Sequence, residues 1–399
     1  MQLSLPGSPH LTYCTNIHAG ERWHEIDAAL RRHVPSIKSR VSPDKPMGVG
    51  LRLSGSAAED LYDPAAIAEL QAFLHDEDLY VFTINAFPYG AFHGKRVKEQ
   101  VYEPDWRDEE RLRYTNRVAD ILARLLPEGM DGSVSTVPGA FRANVRSGTD
   151  IARIAEVLTR HAAYLHAIAR ETGKCIVLAL EPEPCCFLET IDDAVTFFDE
   201  HLFSRRSIEA FRCLTGLPAN WAEEALRRHL GICLDVCHSA VEFEDPAESV
   251  ARLEAAGIRV AKIQLSSALR VSAADGDTAE LLLPFDDGVY LHQTVAANDG
   301  KLTRYPDLPE AIAALRNGAA VGEWRVHCHV PLFQSSFGAL QSTQQALADL
   351  LAVCRQRALA PHLEVETYTW DVLPQHMRDG DVGSDIAREL TWVRSQLGA

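Results

Sequence analysis

The chain lacks the features that mark several common classes of protein. None of its 399 residues lie in a run approaching the roughly 20 apolar residues that a membrane-spanning helix needs, so we expect no membrane insertion. Acidic residues outnumber basic ones by 56 to 39, and the formal charge is −17. No Lys/Arg stripe of the kind that binds nucleic acid is present, so we expect no nucleic-acid partner. The negative charge favours solubility and attracts cations to an acidic site.

Disulfide chemistry is also poorly supported. The nine cysteines form no Cys-x-x-Cys pair, and many lie in apolar, strand-like runs where cysteine behaves as a small hydrophobic residue. Their odd number and the size of the chain argue against a secreted disulfide framework. The first residues, MQLSLPGSPH, have no basic segment followed by an apolar one, as a signal peptide would. We therefore expect a reduced, cytoplasmic protein.

What the chain does have is a regular alternation of strand-like and helix-like segments, which indicates βα units and a parallel sheet. The predicted strands are 11–16, 48–54, 79–85, 132–137, 175–181, 231–236, 259–266 and 362–368. The predicted helices are 23–38, 64–76, 108–126, 150–172, 191–201, 246–256, 340–357 and 384–396. This count predicts an α/β fold, a (β/α)8 TIM barrel. A doubly wound open sheet is the alternative, but the turn after the first strand is not glycine-rich.

Two long segments interrupt the alternation. Residues 85–107 follow the third predicted strand, and residues 268–338 follow the seventh. Loops this long in a compact domain are usually functional, so we expect both insertions to cover the mouth of the barrel. The second contains a strand-like run, 324–330, which leaves open whether that run is a barrel strand in place of another. Residues 1–399 then form one domain.

Metal-binding residue types stand at the ends of four predicted strands. The carboxyl ends of parallel barrel strands meet at one mouth, so these side chains should converge there. An ionised carboxylate that faces a barrel interior needs a cation or a shifted pKa, and oxygen ligands suit a hard divalent metal. The candidate ligands are Glu181, Asp235, Gln264 and Glu366. The alternatives are solvated loop acids, a helix-capping aspartate and a glutamine bonded to a neighbouring strand.

Other polar residues accompany this set. His238 follows Asp235 by three positions, on the turn beyond the strand, and should also face the mouth. Glu364 should lie deeper in the barrel, paired with Arg52 or Lys262.

A second pair of histidines is spaced like ligands on a strand. His327 and His329 would share one face of the run 324–330, an arrangement that recurs in transition-metal sites. Four other ligands already suffice, so we assign these histidines to substrate binding and keep metal binding as the alternative. Glu183, on the same face as Glu181, is a further substrate-binding candidate.

The loop after the third strand, NAFPYGAFHGK, is rich in aromatic and hydrogen-bonding groups. Such a loop would make a lid for a polyol or carbohydrate, with aromatic faces covering CH groups. Asn85, His93 and Lys95 would reach substrate oxygens, and Asn16 and His18, after the first strand, would face the same cavity. The alternative for each residue is an ordinary surface loop.

The order Glu181, Asp235-x-x-His238, Gln264, Glu366 resembles the xylose isomerase-like TIM barrels of the sugar phosphate isomerase/epimerase superfamily. The resemblance implies that the two glutamates, the aspartate and the glutamine hold one divalent metal, with the histidine on the substrate side. Many members have histidine where this chain has Gln264, but the hydroxypyruvate isomerase branch has glutamine there. This favours Mn²⁺ or Mg²⁺ over Zn²⁺.

Four longer phrases, NAFPYGAFHG, GSVSTVPGA, WRVHCHVPLF and LEVETYTWDVLP, are similar to the EboE branch of that superfamily. The resemblance extends over most of the chain. It implies a role in a metabolite-trafficking pathway and leaves the substrate undefined.

Together these features predict a divalent-metal-dependent isomerase or epimerase of a polyhydroxylated or hydroxycarbonyl small molecule. Glu181 and Glu366 would remove and return a carbon-bound proton through an enediolate, while His238 polarises or protonates the substrate oxygen. No glycine-rich phosphate cradle is evident, so a phosphorylated substrate is not assumed. The alternatives are a non-catalytic metabolite carrier and a metal-dependent phosphoesterase. Barrels of this kind often form homodimers, although no sequence feature demands one here.

Overall fold

The computed structural model describes residues 1–93, 96–318, 322–370, 373 and 381–399. Its strands are β1 (His10–Tyr13), β2 (Met47–Arg52), β3 (Leu79–Asn85), β4 (Gly132–Thr136), β5 (Ile176–Leu180), β6 (Leu230–Asp235), β7 (Arg259–Leu265), β8 (Leu269–Ala274), β9 (Thr294–Asn298), β10 (Lys301–Tyr305), β11 (Gly322–Val326), β12 (Ser336–Phe337), β13 (Leu340–Ser342) and β14 (His362–Val365). An eight-stranded parallel sheet has the order β1-β14-β7-β6-β5-β4-β3-β2. All eight predicted strands are found in it, and the fold is a (β/α)8 TIM barrel.

Helices separate the barrel strands. They are α1 (Trp23–Val41), α2 (Gly55–Leu61), α3 (Pro64–Asp76), α4 (Glu109–Leu125), α5 (Gly148–Thr172), α6 (Ile191–Phe197), α7 (Arg205–Thr215), α8 (Ala219–His229), α9 (Val236–Val241), α10 (Pro246–Ala255), α11 (Thr278–Leu282), α12 (Leu308–Arg316), α13 (Gln344–Cys354) and α14 (Val382–Leu397). The predicted helix 340–357 begins only at Gln344, because residues 340–342 form β13. In the part of the chain that the structure describes, no helix is both long and apolar enough to cross a membrane.

The inner face of the barrel carries small side chains below the mouth. Val177, Ala179, Cys233 and Ala261 form a buried cluster of their own, separate from the large core. Small residues at these positions leave room inside the barrel for longer polar side chains from neighbouring strands.

The seam between β1 and β2 is closed mainly by a side chain. Thr12 Oγ1 donates to the carbonyl of Gly48 (2.8 Å) and accepts from the amide of Gly50 (3.1 Å). A Cβ atom on Gly50 would lie 1.7 Å from Oε1 of Glu364. Glycine is therefore required here, because the carboxylate of Glu364 occupies the space beside the seam.

A second sheet of six antiparallel strands lies in the chain between β7 and α13, in the order β10-β9-β11-β8-β13-β12. The run 324–330 contributes β11 to this sheet, so it is not a barrel strand. The prediction that His327 and His329 lie on a strand is wrong, since β11 ends at Val326 and the amide of Cys328 donates back to the Val326 carbonyl (2.8 Å).

The two inserted segments contact each other. The rings of Phe92 and Tyr290 lie 5.1 Å apart, and the Tyr290 hydroxyl donates to the carbonyl of Phe92 (3.0 Å). The amide of Val97 donates to the carbonyl of Val289 (2.9 Å). The wall that they build borders the cavity described next.

Candidate metal centre and its cavity

Three carboxylates meet at the carboxyl ends of barrel strands. Glu181 follows β5, Asp235 ends β6, and Glu366 follows β14. All three are buried, and they present oxygen atoms within 4.8 Å of one another. The structure thus brings together three of the four predicted metal ligands.

The fourth predicted ligand, Gln264, is fully buried in β7, in register with Asp235. Neither its amide oxygen nor its amide nitrogen has a hydrogen-bond partner among the described residues, and the same holds for Glu181 Oε2 and Asp235 Oδ2. Leaving such groups unpaired costs about 1–3 kcal/mol each, and more for charged groups. A divalent cation would satisfy the oxygens, and an oxygen-rich donor set fits Mg²⁺ or Mn²⁺. These residues therefore fit the metal that the sequence predicts.

The charges in this group affect one another. Burial raises the pKa of Glu181 well above its usual value, and the negative charges of Glu366 and Asp235 raise it further. Burial, and then Asp235, raises the pKa of Glu366 in the same way. For Asp235 burial also opposes ionisation, but His238, His329 and the Ser266 hydroxyl lower its pKa overall. A bound cation would let the three carboxylates ionise together.

Glu366 is held in place by two amides. Asn16 Nδ2 and Asn85 Nδ2 donate to its Oε1 atom, at 2.7 and 3.2 Å. Both asparagines also border the cavity, where the sequence places them as substrate-binding residues. Their contact with Glu366 gives them a structural task at the centre that the sequence did not indicate.

Asp235 is oriented by Ser266, which sequence reasoning missed. Asp235 Oδ1 accepts from the Ser266 hydroxyl (2.6 Å) and from the amide of His238 (3.0 Å). The second oxygen, Oδ2, is left for another ligand. The position of Ser266 just beyond β7 is the only sequence signal for this role.

Three histidines border the cavity: His238, His327 and His329. The Nε2 atoms of His238 and His327 are 3.1 Å apart. His238 Nδ1 lies 2.9 Å from the carbonyl of Pro182, so Nδ1 carries the proton in the neutral ring. Neutral His238 therefore offers a lone pair at Nε2. The predicted protonation of a substrate oxygen from that atom would need the doubly protonated ring.

Glu183 is held by residues from both inserted segments. Its Oε1 atom accepts from the Tyr102 hydroxyl (2.6 Å) and from Gln293 Nε2 (3.2 Å). Burial raises the pKa of Glu183. Neither Tyr102 nor Gln293 has a sequence signal, because each reaches the site through a loop.

Two predicted substrate-binding residues, His18 and His93, are not among the described residues that border the cavity. His18 contacts the Tyr13 hydroxyl (3.0 Å), and its ring stacks on His33 with centroids 4.4 Å apart. His93 lies beside Glu21, with Nδ1 4.0 Å from Oε1. Lys95, the remaining candidate, lies outside the described residues.

The cavity measures about 550 Å³, including its opening to solvent. Polar side chains form its floor, and apolar ones form a collar around it. The collar consists of Phe87, Pro88, Phe92, Val97, Val101, Tyr290, Leu291 and Tyr368. Among the described residues that border the cavity, the one lysine or arginine is Lys98, and its Nζ atom lies 2.5 Å from Asp307 Oδ2.

A separate ion pair is also buried in the barrel. Lys262 Nζ lies 2.5 Å from Glu364 Oε2, and both side chains are 0% exposed. Of the two partners predicted for Glu364, the structure selects Lys262. Burial alone would lower the pKa of Lys262, but the carboxylate of Glu364 raises it overall.

The chain is similar to solved structures of low sequence identity. A xylose isomerase-like TIM barrel protein from Mycobacterium smegmatis, in complex with magnesium, is 13% identical, with a TM-score of 0.50 over 99% of this chain and 97% of that chain. A D-tagatose 3-epimerase-like protein is 10% identical, with a TM-score of 0.49 over 98% and 97%. No protein-family model matches the chain, and no curated protein matches it significantly. The likeness shows a shared TIM-barrel fold, whereas membership of the xylose isomerase-like superfamily and similarity to its EboE branch stay predictions.

Proposed function

We propose that the protein is a divalent-metal-dependent isomerase or epimerase of a polyhydroxylated or hydroxycarbonyl small molecule. One observation carries the proposal: Glu181, Asp235 and Glu366 present buried oxygens within 4.8 Å of one another, and Glu181 and Glu366 border a cavity that opens to solvent. An acid-base pair beside a metal site suits proton transfer at a carbon next to a carbonyl.

The ligands of the metal would be Glu181, Asp235, Gln264 and Glu366, and their oxygen atoms favour Mn²⁺ or Mg²⁺ over Zn²⁺. When bound, the ion would act as a Lewis acid toward a carbonyl and the adjacent hydroxyl of the substrate.

The carboxylates would move the proton. One of Glu181 and Glu366 removes it from the carbon, which gives an enediolate, and the other returns it. Asn16 and Asn85 fix one oxygen of Glu366, so the direction of its second oxygen is set before substrate arrives. The collar of apolar side chains excludes water from this transfer.

The cavity also supports a choice of substrate class. Its one described lysine is neutralised by Asp307, which argues against a phosphorylated or carboxylated substrate. The apolar collar suits a molecule whose hydroxycarbonyl end reaches the floor while a less polar part contacts Phe92 and Tyr290.

The proposal also covers the pathway, the cellular location and the oligomeric state of the protein. The similarity of four sequence phrases to the EboE branch supports a place in a metabolite-trafficking pathway. Cysteine usage supports a cytoplasmic location, and we propose a homodimer by analogy with barrels of this kind.

Exchange of a carbon-bound proton with solvent tests the reaction. Protein loaded with Mn²⁺ is incubated with a panel of uncharged hydroxycarbonyl compounds in deuterated water, and deuterium incorporation is followed by NMR. We expect exchange with at least one compound, and its loss in Glu181→Gln and Glu366→Gln. Glu242→Gln is the matched control, because Glu242 is a buried carboxylate paired with Arg304 and does not border the cavity.

The same assay separates the alternatives. Tight binding of a compound without exchange would overturn the isomerase proposal and favour a metabolite carrier. Exchange that persists in both glutamine variants would show that other groups move the proton.

A further inference from the structure

A charged pair is buried behind the cavity, in the second inserted segment. His292 Nε2 lies 2.9 Å from Asp287 Oδ2, and the two side chains are 1% and 7% exposed. Neither residue borders the cavity, and neither has a part in the proposed reaction. Desolvation offsets most of the attraction within a buried pair, so the pair is better explained by the segment that it holds than by stability.

The contacts of His292 place a proton on each ring nitrogen. Nδ1 lies 2.9 Å from the carbonyl oxygen of His327, which can only accept, so Nδ1 donates. Nε2 faces the carboxylate of Asp287. The other oxygen of that carboxylate, Oδ1, accepts from the amides of Val289 (2.6 Å) and Tyr290 (3.0 Å), as an ionised carboxylate does. The pair is therefore an imidazolium bound to a carboxylate.

The electrostatics of the pair agree with this protonation state. Burial alone would lower the pKa of His292, but the hydrogen bond and the charge of Asp287 raise it above the ordinary value of 6.5. Burial also opposes the ionisation of Asp287, but its hydrogen bond to His292 lowers its pKa overall. The two pKa values shift in opposite directions, and both shifts favour the charged pair.

The other charged and titratable groups that face the pair come from neighbouring elements. Asp307, just before α12, accepts from the amide of His292 (3.0 Å) through Oδ1 and from Lys98 Nζ (2.5 Å) through Oδ2. The remaining titratable groups near the pair follow β11 in the chain: His327, Cys328 and His329. Because Lys98 neutralises Asp307, Asp287 is left as the carboxylate that balances the charge of His292.

Asp287 holds the part of the second inserted segment that lies against the cavity. Its Oδ1 atom accepts from the amides of Val289 and Tyr290, and Tyr290 borders the cavity. The carbonyl of Val289 accepts in turn from the amides of Val97 and Lys98, at 2.9 and 3.1 Å. A change in the orientation of Asp287 is therefore transmitted to the contact between the two inserted segments.

We propose that the ion pair of His292 and Asp287 is a pH-sensitive latch that positions residues 289–291 against the cavity and releases them as the pH rises. When the ring loses a proton, Nδ1 keeps its own for the His327 carbonyl, and Nε2 turns a lone pair toward the carboxylate. The lone pair repels the carboxylate, which then no longer fixes the two amides. The role of the latch rests on the proposed function, since a held wall matters only if the cavity takes a substrate.

The direction of the pH dependence follows from the raised pKa of His292. Such a group stabilises the closed wall fully below the ordinary value of 6.5, and its contribution is lost as the pH rises through the raised pKa. The wall should therefore be held most firmly at mildly acidic pH and should open more often at alkaline pH. Access to the cavity would rise with pH.

Hydrogen exchange of the two amides that donate to Asp287 tests the latch. The full-length protein is followed by NMR between pH 6 and pH 9, and each exchange rate is divided by the intrinsic rate of an unfolded amide at that pH. We expect the protection of the Val289 and Tyr290 amides to fall by about tenfold, the change that one unit of pKa difference produces. His292→Gln replaces the ring by a neutral donor and should show low protection throughout this range.

His161→Gln is the matched control. His161 is also buried, but its Nδ1 atom lies 2.7 Å from Asn116 Oδ1, and its Nε2 atom has no hydrogen-bond partner among the described residues. This variant should keep the pH dependence of the wild type. Asp287→Asn removes the negative charge instead of the ring, should behave like His292→Gln, and replaces that variant if it fails to fold.

NMR of the His292 ring gives a readout that needs no variant. We expect the doubly protonated ring to predominate at pH 6.5, and a mainly neutral ring there would overturn the latch. Equal amide protection at pH 6 and pH 9 in the wild type, or a pH dependence retained in His292→Gln, would overturn it as well. No metal or substrate takes part in these measurements, so absence of carbon-bound proton exchange would sink the proposed reaction and leave the latch standing.

Discussion

The barrel buries two groups of charged side chains and treats them in opposite ways. Deep in the barrel, Lys262 and Glu364 form a fully buried pair 2.5 Å apart that neutralises itself. At the mouth, Glu181, Asp235 and Glu366 crowd their carboxylates within 4.8 Å of one another, and none of them forms an ion pair with a lysine or arginine among the described residues. The chain can therefore pair a buried charge where only packing is at stake. Unpaired charge at the mouth is the better indicator of a function.

Removing the metal should have the largest effect and should act on the mouth alone. We expect a chelator to reduce proton exchange by about a thousandfold or more, because several kcal/mol of charge stabilisation are lost. Mn²⁺ should restore the rate, and the melting temperature should fall on stripping because the ion binds only the native state. The exchange assay measures the rate, and differential scanning calorimetry measures the melting temperature. Unchanged exchange in demonstrably metal-free protein would contradict this prediction.

Breaking the deep pair should have its largest effect on stability. Lys262→Met leaves Glu364 as an uncompensated buried charge, and we expect it to lower the free energy of unfolding by about 3–5 kcal/mol. The double variant Lys262→Met/Glu364→Met should recover most of that loss, since the pair is replaced by apolar groups. Urea denaturation of the three proteins measures the difference. A loss below about 1 kcal/mol in the single variant would show that the pair is not as isolated from water as the structure indicates.

Removing a carboxylate at the mouth should stabilise the metal-free protein, whereas breaking the deep pair should destabilise it. The pKa of Glu181 is raised in the folded state, so the metal-free wild type should lose stability as pH rises above the ordinary value of 4.5. Glu181→Gln removes the contribution of Glu181 to this dependence, and we expect it to be more stable than the wild type at pH 8 by about 1–3 kcal/mol. The difference should shrink toward pH 4.5, and saturating Mn²⁺ should reverse it. Urea denaturation across this pH range measures the free energy of unfolding of both proteins. A metal-free variant that is less stable than the metal-free wild type at pH 8 would contradict this prediction.

The smallest effect concerns the orientation of a ligand. Ser266→Ala removes the donor to Asp235 Oδ1, and we expect metal affinity to fall by about 10–100-fold, as for other residues that orient ligands. Ser267→Ala is the matched control, because this neighbouring buried hydroxyl contacts Thr343. Titration calorimetry with Mn²⁺ measures both variants. Equal Mn²⁺ affinities of Ser266→Ala and Ser267→Ala would show that Ser266 does not orient Asp235 for metal binding.

The sequence predicted the barrel well because its strands are apolar runs between amphipathic helices, a pattern that depends on local residues. It also predicted the convergence of Glu181, Asp235 and Glu366, since the ends of parallel strands must meet. It also predicted that His18 faces the cavity, but His18 is not among the described residues that border it, and its ring stacks on His33.

The remaining errors and omissions involve the inserted segments. A strand-like pattern placed His327 and His329 on a strand, but the chain leaves the second sheet after Val326. Tyr102 and Gln293 come together only through contacts between loops that are far apart in the sequence. Such contacts cannot be predicted from a single sequence.

The hydrogen bonds on Glu366 also bear on the order in which parts of the chain fold during synthesis. Its two amide donors lie 350 and 281 positions earlier in the chain. During synthesis, Asn16 and Asn85 must wait for the last barrel strand before they find their partner. The proposed ligand set is complete only after Glu366 has been synthesised. We therefore expect a metal ion to bind the finished barrel and not to guide the early stages of folding.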